Sequence, residues 1–165
     1  MERIEALRRE TDEWRAVVGK AIVCFGELEL ITYKCLAHLP SDKIANATSK
    51  LGFSNRVALI VEILEGRKPV TEPVSRFVAM LKNARRLAEM RNHIAHNPVM
   101  MHFYLHMASG DILLERSISS ASGGRNIDLA SAKEFADEVE DLAAEMWLQM
   151  GKVANPVSGT DSIDA

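Results

Sequence analysis

The spacing of apolar residues restricts the possible folds more than any other feature of the sequence. It matches the period of an α-helix along most of the chain and the period of a β-strand in one short segment. Apolar side chains recur every three or four residues up to His96, and again from Leu129 to Val153, as one face of a helix requires. Between Val99 and Met107 the period changes to two, which is typical of a strand. The sequence therefore predicts several amphipathic helices and a short β segment before the last helix.

Proline and glycine residues mark where the predicted helices end. Pro40 ends the first helix, Gly66 closes the second, and Pro98 stops the third. Ser54 is the predicted N-cap of the second helix, since a serine side chain can accept a hydrogen bond from the first turn. Ile4–His38 is predicted to form one long helix, or a short helix that runs into a long one. The other predicted elements are a short helix or turn Ser41–Ser49, helices Ser54–Leu64 and Thr71–His96, strands Val99–Met107 and Ile112–Ile118, a loop Ser119–Asn126, and a helix Leu129–Val153 capped by Asp128 or Ser131.

This order of elements predicts an all-α fold of the up-and-down bundle type. It has four main helices and a short β-hairpin, at about residues 99–118, inserted before the last helix. Ser109-Gly110-Asp111 supplies the turn between the two strands. The pattern contains no internal repeat and no linker, so we expect residues 1–153 to form one domain and residues 154–165 to form a flexible polar tail.

The composition is that of an ordinary globular protein. The net charge is −3, which argues against a broad cationic surface for non-specific nucleic-acid binding. Cys24 and Cys35 are too far apart along one helix to bridge each other, so we expect free thiols in a reducing cytoplasm. The charged N-terminus indicates no signal peptide, and the histidines and Pro98 in the uncharged run 92–110 argue against a membrane span. We expect a cytoplasmic protein that does not enter a membrane.

Charge is nevertheless uneven along the predicted helices. Residues 67–91 contain seven lysines and arginines against two glutamates, whereas residues 128–145 contain seven acids against one lysine. In the simpler interpretation the basic third helix and the acidic last helix pair with each other across solvated faces. Alternatively, the basic side chains face phosphate, and Lys82, Arg85 and Arg86 are then substrate-binding residues.

The residues that suggest chemistry lie at the end of the basic helix, in the segment Arg91-Asn92-His93-Ile94-Ala95-His96. At about 100° per residue, Asn92 falls within about 20° of the direction of Leu81, and His96 within about 60°, so polar side chains are predicted to continue an apolar face. The Asn92 amide can reach His96 one turn later and set its tautomer, and Arg91 lies at the edge of the same face. Such a group, placed where helices meet, is suited to binding phosphate.

This segment resembles the signature of the HEPN superfamily, which is an arginine, a polar Asn, Asp or His, three further residues and a histidine. Here those positions are Arg91, Asn92 and His96, near the end of the third main helix. The resemblance implies a HEPN-like helical bundle, a homodimer and metal-independent endoribonuclease activity, as in toxins controlled by an antitoxin protein and in other defence systems. The superfamily also contains inert modules. The leading expectation is therefore an endoribonuclease or a protein that binds RNA or nucleotide phosphate. The alternative is a non-catalytic dimerising helical module that binds a partner protein.

Metal-free RNA cleavage needs one group that moves protons and one that neutralises charge on the phosphate, because the 2′-hydroxyl attacks the adjacent phosphorus. Histidine side chains titrate near neutrality, so His96 suits the first role. The Arg91 guanidinium can hold two phosphoryl oxygens and suits the second. Asn92 would orient His96 or contact the phosphate. In the structural alternative, Arg91 pairs with an acid such as Glu29, while Asn92 and His96 cap a helix end.

Glu29 is the carboxylate that we expect to support this site. It shares a face of the first helix with Phe25 and Leu36, and a carboxylate in apolar surroundings needs a partner. Arg91 or His96 is the expected partner, either in a structural ion pair or in a catalytic role.

The histidines raise a further alternative, a metal site. His102 and His106 lie on one face of the first predicted strand, His93 and His96 precede them, and imidazoles bind zinc or nickel. No cysteine accompanies them, and no HExxH pattern is present. We therefore expect neither a metal nor a cofactor.

Overall fold

A computed structural model of the chain describes residues 2–37, 48, 50–105, 107, 110, 112–120 and 124–154. This part of the chain is mostly helical, with four helices and a three-stranded antiparallel sheet that lies between the third and the fourth helix in sequence. The helices are α1 Glu2–Ala37, α2 Phe53–Glu65, α3 Glu72–His96 and α4 Leu129–Ala154. The strands are β1 Val99–Leu105, β2 Ile112–Ser119 and β3 Asn126–Ile127. The predicted order of four main helices and a hairpin is confirmed.

α1 is one uninterrupted helix of 36 residues, so of the two arrangements expected for this segment the single long helix is the one observed. Its buried side chains follow the helical period and are Trp14, Val17, Ala21, Cys24, Phe25, Leu28, Ile31, Thr32 and Leu36. Both cysteines are free thiols, as expected. Burial raises the pKa of the Cys35 thiol to about 11. A thiol that stays protonated at neutral pH is a poor nucleophile, so Cys35 contributes packing rather than reactivity.

α2 begins differently from the prediction. The helix starts at Phe53, directly after Gly52, and no side chain caps it. The predicted N-cap Ser54 is wrong, because it already lies inside the helix. The Gly52 carbonyl accepts the N–H groups of Asn55 and Arg56, at 3.0 Å each, and so takes over the start of the helix without a serine.

α4 begins with a side-chain cap, as predicted. Asp128 Oδ1 accepts a hydrogen bond from the Ser131 N–H at 2.7 Å, so of the two predicted caps Asp128 is the one used. The same hydrogen bond lowers the pKa of the Asp128 carboxyl from its ordinary value, because it favours the ionised form.

The predicted hairpin is present. β1 and β2 pair antiparallel without a break, from Val99 opposite Ile118 to Leu105 opposite Ile112. Gly110, between the strands, has a φ of +74°, a left-handed conformation that favours glycine. The other two residues of the predicted turn lie outside the described residues.

The loop predicted over Ser119–Asn126 is wrong at both of its ends. Ser119 ends β2 and pairs with Asn126, the first residue of β3, and Ile118 pairs with Ile127. Both isoleucines are almost fully buried. A strand of two residues is too short to show an alternating pattern, so the sequence could not reveal β3.

The chain divides into two compact units. The first, which we call the sheet unit, comprises Met1–Glu27 and Arg86–Asp141. Arg116 of β2 donates to Thr11 Oγ1 of α1 at 2.6 Å, which ties the sheet to the helix. The side chains in the core of this unit include Trp14, Ala21, Phe25, Leu87, Ile94, Ile118, Ile127, Ala132, Phe135, Ala136 and Val139. The core thus combines three helices with one face of the sheet.

The second unit, which we call the helical unit, comprises Leu28–Arg85 and Leu142–Ala165. Its core includes Leu28, Ile31, Leu36, Val57, Ile60, Leu64, Phe77, Leu81 and Met146. Arg56 is buried among them and only 3% exposed. Its Nε donates to Thr32 Oγ1 and its Nη1 to the Tyr33 hydroxyl, each at 3.0 Å, and Nη1 also donates to the Leu51 carbonyl. The guanidinium lies 3.9 Å from the centre of the Tyr33 ring.

Some predictions fall on other parts of the chain. The segment Ser41–Ser49, apart from Thr48, and the tail after residue 154 lie outside the described residues. The expectation of one domain over residues 1–153 stays a prediction. Among the described helices, none combines the length and the apolar character that crossing a membrane requires.

Candidate functional site

The C-terminal end of α3 divides into a buried and an exposed side. Ile94 is buried, Arg91 and His93 are half-buried, and Asn92 and His96 are exposed. The prediction that Asn92 and His96 continue the apolar face is therefore wrong. They share the exposed side of the helix.

The reason is a drift of the buried face around α3. Leu81, Ala84, Leu87 and Ile94 are buried, and each lies three residues or seven residues after the one before it. Three residues for one turn, or seven for two, are fewer than the about 3.6 residues per turn of an α-helix. Each later buried residue therefore lies further back around the helix axis than the one before it, relative to Leu81. The rotation brings Arg91 toward the interior and leaves the other motif residues on the solvent side.

The contacts that hold Arg91 include two within the sheet unit. Its guanidinium carbon lies 5.1 Å from the centre of the Phe25 ring of α1, and Phe25 is 1% exposed. Its Nη1 donates to Asn92 Oδ1 at 2.9 Å. The ring contributes a cation–π contact and the amide a directional hydrogen bond, so the guanidinium is positioned near the surface.

Asn92 thus has a different partner from the one expected. Its side-chain oxygen accepts from Arg91, and no hydrogen bond joins Asn92 to His96 among the described residues. Asn92 therefore orients the Arg91 guanidinium. It does not fix the orientation of the His96 imidazole.

The two histidines of the segment differ in accessibility. His93 is half-buried, and its Nε2 is buried with no hydrogen-bond partner in the described part of the chain. Its carbonyl accepts from Asn97 Nδ2 at 2.8 Å, a contact that closes the last turn of α3. His96 is exposed and is the last residue of that helix. Of the two imidazoles, that of His96 is therefore the more open to solvent.

The basic side chains upstream on α3 form surface ion pairs. Lys82 Nζ lies 2.8 Å from Glu65 Oε1, and Arg86 Nη2 lies 2.6 Å from Glu138 Oε1. Arg85 is exposed, and no ion pair involves it in the described ranges. The expected pairing of the basic third helix with the acidic last helix is confirmed for Arg86. All of these side chains remain accessible, and exposed pairs of this kind are weak.

Glu29 lies in the helical unit, on α1, and is half-buried. Its backbone carbonyl accepts from Thr32 Oγ1 at 2.7 Å. Thr32 in turn accepts from Arg56. The pairing of Glu29 with Arg91 or His96 stays a prediction.

A metal site is the remaining alternative. His102 Nε2 lies 2.9 Å from Ser117 Oγ, and Ser117 Oγ lies 2.7 Å from Ser119 Oγ, so His102 takes part in a hydroxyl network. His106 lies outside the described residues. Within the residues that can be described, no three histidine, cysteine or acidic side chains gather closely enough to hold a metal ion.

Two residues escaped the reasoning from sequence. Phe25 was predicted only as core, but its ring also supports Arg91. Arg56 was not singled out, although its four-residue spacing from Ile60 and Leu64 places it on the apolar face of α2. For Arg56 the signal is a polar residue at a buried position of a helix, whereas nothing in the local sequence indicates that Phe25 contacts Arg91.

Comparison with known proteins gives no relative. No family model matches the sequence, and neither a curated protein nor a solved structure matches the chain. The function must therefore be argued from the residues themselves.

Proposed function

We propose that the chain is a HEPN-like, metal-independent endoribonuclease with its site at Arg91, Asn92 and His96. The observation that carries the proposal is that the last two turns of one helix hold both a positioned guanidinium and an exposed imidazole. Arg91 is held by Phe25 and Asn92, and His96 is open to solvent. A guanidinium that is already positioned loses less side-chain entropy when it binds a phosphate.

The chemistry would be an internal transfer at phosphorus. The RNA 2′-oxygen bonds to the adjacent phosphorus while the bond from phosphorus to the 5′-oxygen breaks. The 2′-hydroxyl proton is taken up by a base, and the 5′-oxygen receives a proton, which gives a 2′,3′-cyclic phosphate and a 5′-hydroxyl. His96 moves protons, and Arg91 stabilises the charge that develops on the phosphoryl oxygens. Asn92 keeps Arg91 in place.

Residues upstream on α3 would bind the RNA backbone. Lys82, Arg85 and Arg86 are exposed, and the carboxylates beside Lys82 and Arg86 form only surface pairs. A phosphate can replace a surface carboxylate at little cost, because exposed pairs contribute on the order of 1 kcal/mol or less. Binding through these side chains is expected to weaken as salt increases.

The proposal includes partners. We expect a homodimer that brings two copies of Arg91 and His96 near each other, and an antitoxin protein if the chain acts as a toxin. A sedimentation experiment at micromolar concentration tests the dimer, and a monomer would count against it.

The alternative proposal is a non-catalytic dimerising module that binds a nucleotide or a partner protein. It is favoured by the ion pairs themselves, since Lys82 and Arg86 are engaged with Glu65 and Glu138. The net charge of −3 also disfavours tight RNA binding at high salt. Such a module would bind RNA or nucleotide weakly and leave RNA uncut.

The test compares two histidine variants on a single-stranded RNA. His96→Ala is expected to lower the cleavage rate at least roughly a hundredfold, the lower end of a general acid–base contribution, and to leave RNA binding nearly unchanged. His93→Ala is the matched control, because it removes a half-buried imidazole from the same helical turn. DNA of the same sequence should remain intact, since it lacks the attacking hydroxyl.

Each outcome separates the two functions. Wild-type protein that binds RNA and leaves it uncut supports the non-catalytic module. An equal loss of activity in both histidine variants would contradict a special role for His96. A His96→Ala protein that unfolds would indicate that the motif holds the helix end together.

A further inference from the structure

β1 is an edge strand without the usual protection against pairing. Its seven residues, Val99 to Leu105, include no Lys, Arg, Asp or Glu, no proline and no glycine. Its register with β2 is continuous, so no bulge twists it away. In the described part of the chain nothing pairs with its other edge. Natural edge strands are normally protected by charge, proline or a bulge, so an edge like this one is suited to pairing with another strand.

The backbone groups on that edge can be assigned. The Ser119 N–H donates to the Pro98 carbonyl at 3.3 Å, which makes these residues a hydrogen-bonded pair of the β1–β2 ladder. Such pairs occur at every second residue of an antiparallel ladder. The N–H and C=O groups that point away from β2 therefore belong to Val99, Met101, Phe103 and Leu105.

The side chains of the same residues face α1. They share the face of the sheet that carries Arg116, which donates to Thr11 of α1. Phe103 is 69% exposed and Leu105 is 61% exposed, which is unusual for such large apolar side chains on one strand.

A groove lies beside the start of β1. It has a volume of about 630 Å³ and lies between β1 and α1. Its apolar lining consists of Trp14, Val18, Gly19, Val99 and Met101. The exposed side chains of Phe103 and Leu105 lie on the second half of β1, whereas the groove lies beside the first half. One copy therefore cannot fill its own groove with these side chains.

We propose that β1 pairs antiparallel with β1 of a second copy of this chain, about a two-fold axis at His102. Val99 then lies opposite Leu105, Met100 opposite Tyr104, and Met101 opposite Phe103. This register places odd-numbered residues opposite odd-numbered residues. The odd-numbered residues of β1 are those whose N–H and C=O groups point away from β2, so these groups can form the hydrogen bonds between the two copies. No lysine, arginine or carboxylate meets its like, because β1 contains none, and the strand is thus complementary to itself.

This register also fills the groove. Residues opposite each other in an antiparallel pair point to the same face. Phe103 and Leu105 of the second copy therefore stand beside Met101 and Val99, at the groove between β1 and α1. The two-fold axis repeats the contact, so each copy inserts two large side chains into the other.

This contact goes beyond the proposed function and does not depend on it. In the paired strands the two Val99 residues are about 20 Å apart along the strand direction, and each His96 lies just beyond its Val99. A contact that brings the two RNA sites together would therefore use another surface.

The first test is a cysteine crosslink. At the two-fold axis the two Cα atoms of residue 102 form a non-hydrogen-bonded pair at about 4.5 Å, within the range for a disulfide. Mild oxidation should therefore convert His102→Cys to a covalent dimer. Met100→Cys lies on the same face and is the control, because its copies are about 13 Å apart or more. Absence of a crosslink at residue 102, or equal crosslinking of both variants, would overturn the proposed register.

The second test uses sedimentation of the full chain. Phe103→Lys places a charge in the apolar interface and should raise the dissociation constant at least tenfold. Gly19→Leu should weaken pairing from the other element. A Cβ at this position meets nothing within 4 Å in one copy, and Gly19 lines the groove, so a side chain here extends into the space that the second copy fills. Leu148→Lys is the control, because it makes the same change at an exposed residue of α4, 72% exposed. A mass unchanged in both interface variants would contradict the proposal.

Discussion

Arg56 in the helical unit and Arg91 in the sheet unit each place a guanidinium over an aromatic ring of α1, but in different surroundings. Arg56 is 3% exposed, lies 3.9 Å from the Tyr33 ring and donates to three oxygens. Arg91 is half-buried, and one of its donors bonds to the exposed amide of Asn92. The first arginine stabilises the fold from inside. The second is positioned beside solvent, where a ligand can reach it.

The comparison predicts its largest effect for Arg56→Ala. The change removes the buried guanidinium, leaves three acceptor oxygens without their donor and opens a cavity, so the free energy of unfolding should fall by about 3–4 kcal/mol. Denaturant titration followed by helical circular dichroism measures it. A loss under about 1 kcal/mol would mean that the two arginines do not differ in the way described.

Arg91→Ala should instead affect ligand binding. The affinity for single-stranded RNA is expected to fall roughly thirtyfold, because charge-assisted contacts to phosphate are lost. The free energy of unfolding should fall by only about 1 kcal/mol, the size of a cation–π contact near the surface. Fluorescence anisotropy and denaturant titration on one preparation give both values. A large loss of stability with unchanged RNA affinity would reverse the assignment.

Tyr33→Phe sharpens the account of the buried arginine. It removes the hydroxyl that accepts from Arg56 Nη1 and keeps the ring beneath the guanidinium. The expected cost is about 1 kcal/mol in the free energy of unfolding, with no change in RNA affinity. If stability did not change, the ring and the other two acceptors would be sufficient to hold Arg56.

Asn92→Ala should have the smallest effect. Asn92 is exposed and acts through Arg91, so stability should stay within about 0.5 kcal/mol of the wild type. RNA affinity should fall about threefold, since the guanidinium loses one constraint. A loss as large as that of Arg91→Ala would show that Asn92 contacts the phosphate directly.

The helical and strand periods of the sequence were sufficient to predict most of the fold. α1, α3 and α4 were found within a few residues of their limits, because their apolar residues repeat over several turns. β3 was missed because two residues carry no period. Ser54 was misplaced because a backbone carbonyl, rather than a side chain, accepts the first N–H groups of α2.

The candidate site was predictable in composition but not in orientation. The three motif residues could be named from their spacing. Their division into a half-buried Arg91 and an exposed Asn92 and His96 depends on a drift of the buried face that accumulates along α3. Taking the direction of Leu81 as the buried direction for the whole helix does not follow that drift. The support of Arg91 by Phe25 is a tertiary contact between residues far apart in sequence, and no local pattern encodes it.

The most direct test of the account is cleavage of an RNA that carries a single 2′-deoxynucleotide, with a chelator present. We predict fragments with 2′,3′-cyclic phosphate ends at susceptible positions, and no cleavage after the deoxynucleotide, because the attacking hydroxyl is missing there. The chelator should not change the rate, since Arg91 and His96 supply the charge and the proton transfer that a metal would otherwise provide. Intact RNA, or cleavage that proceeds after the deoxynucleotide or stops with the chelator, would contradict the proposed site.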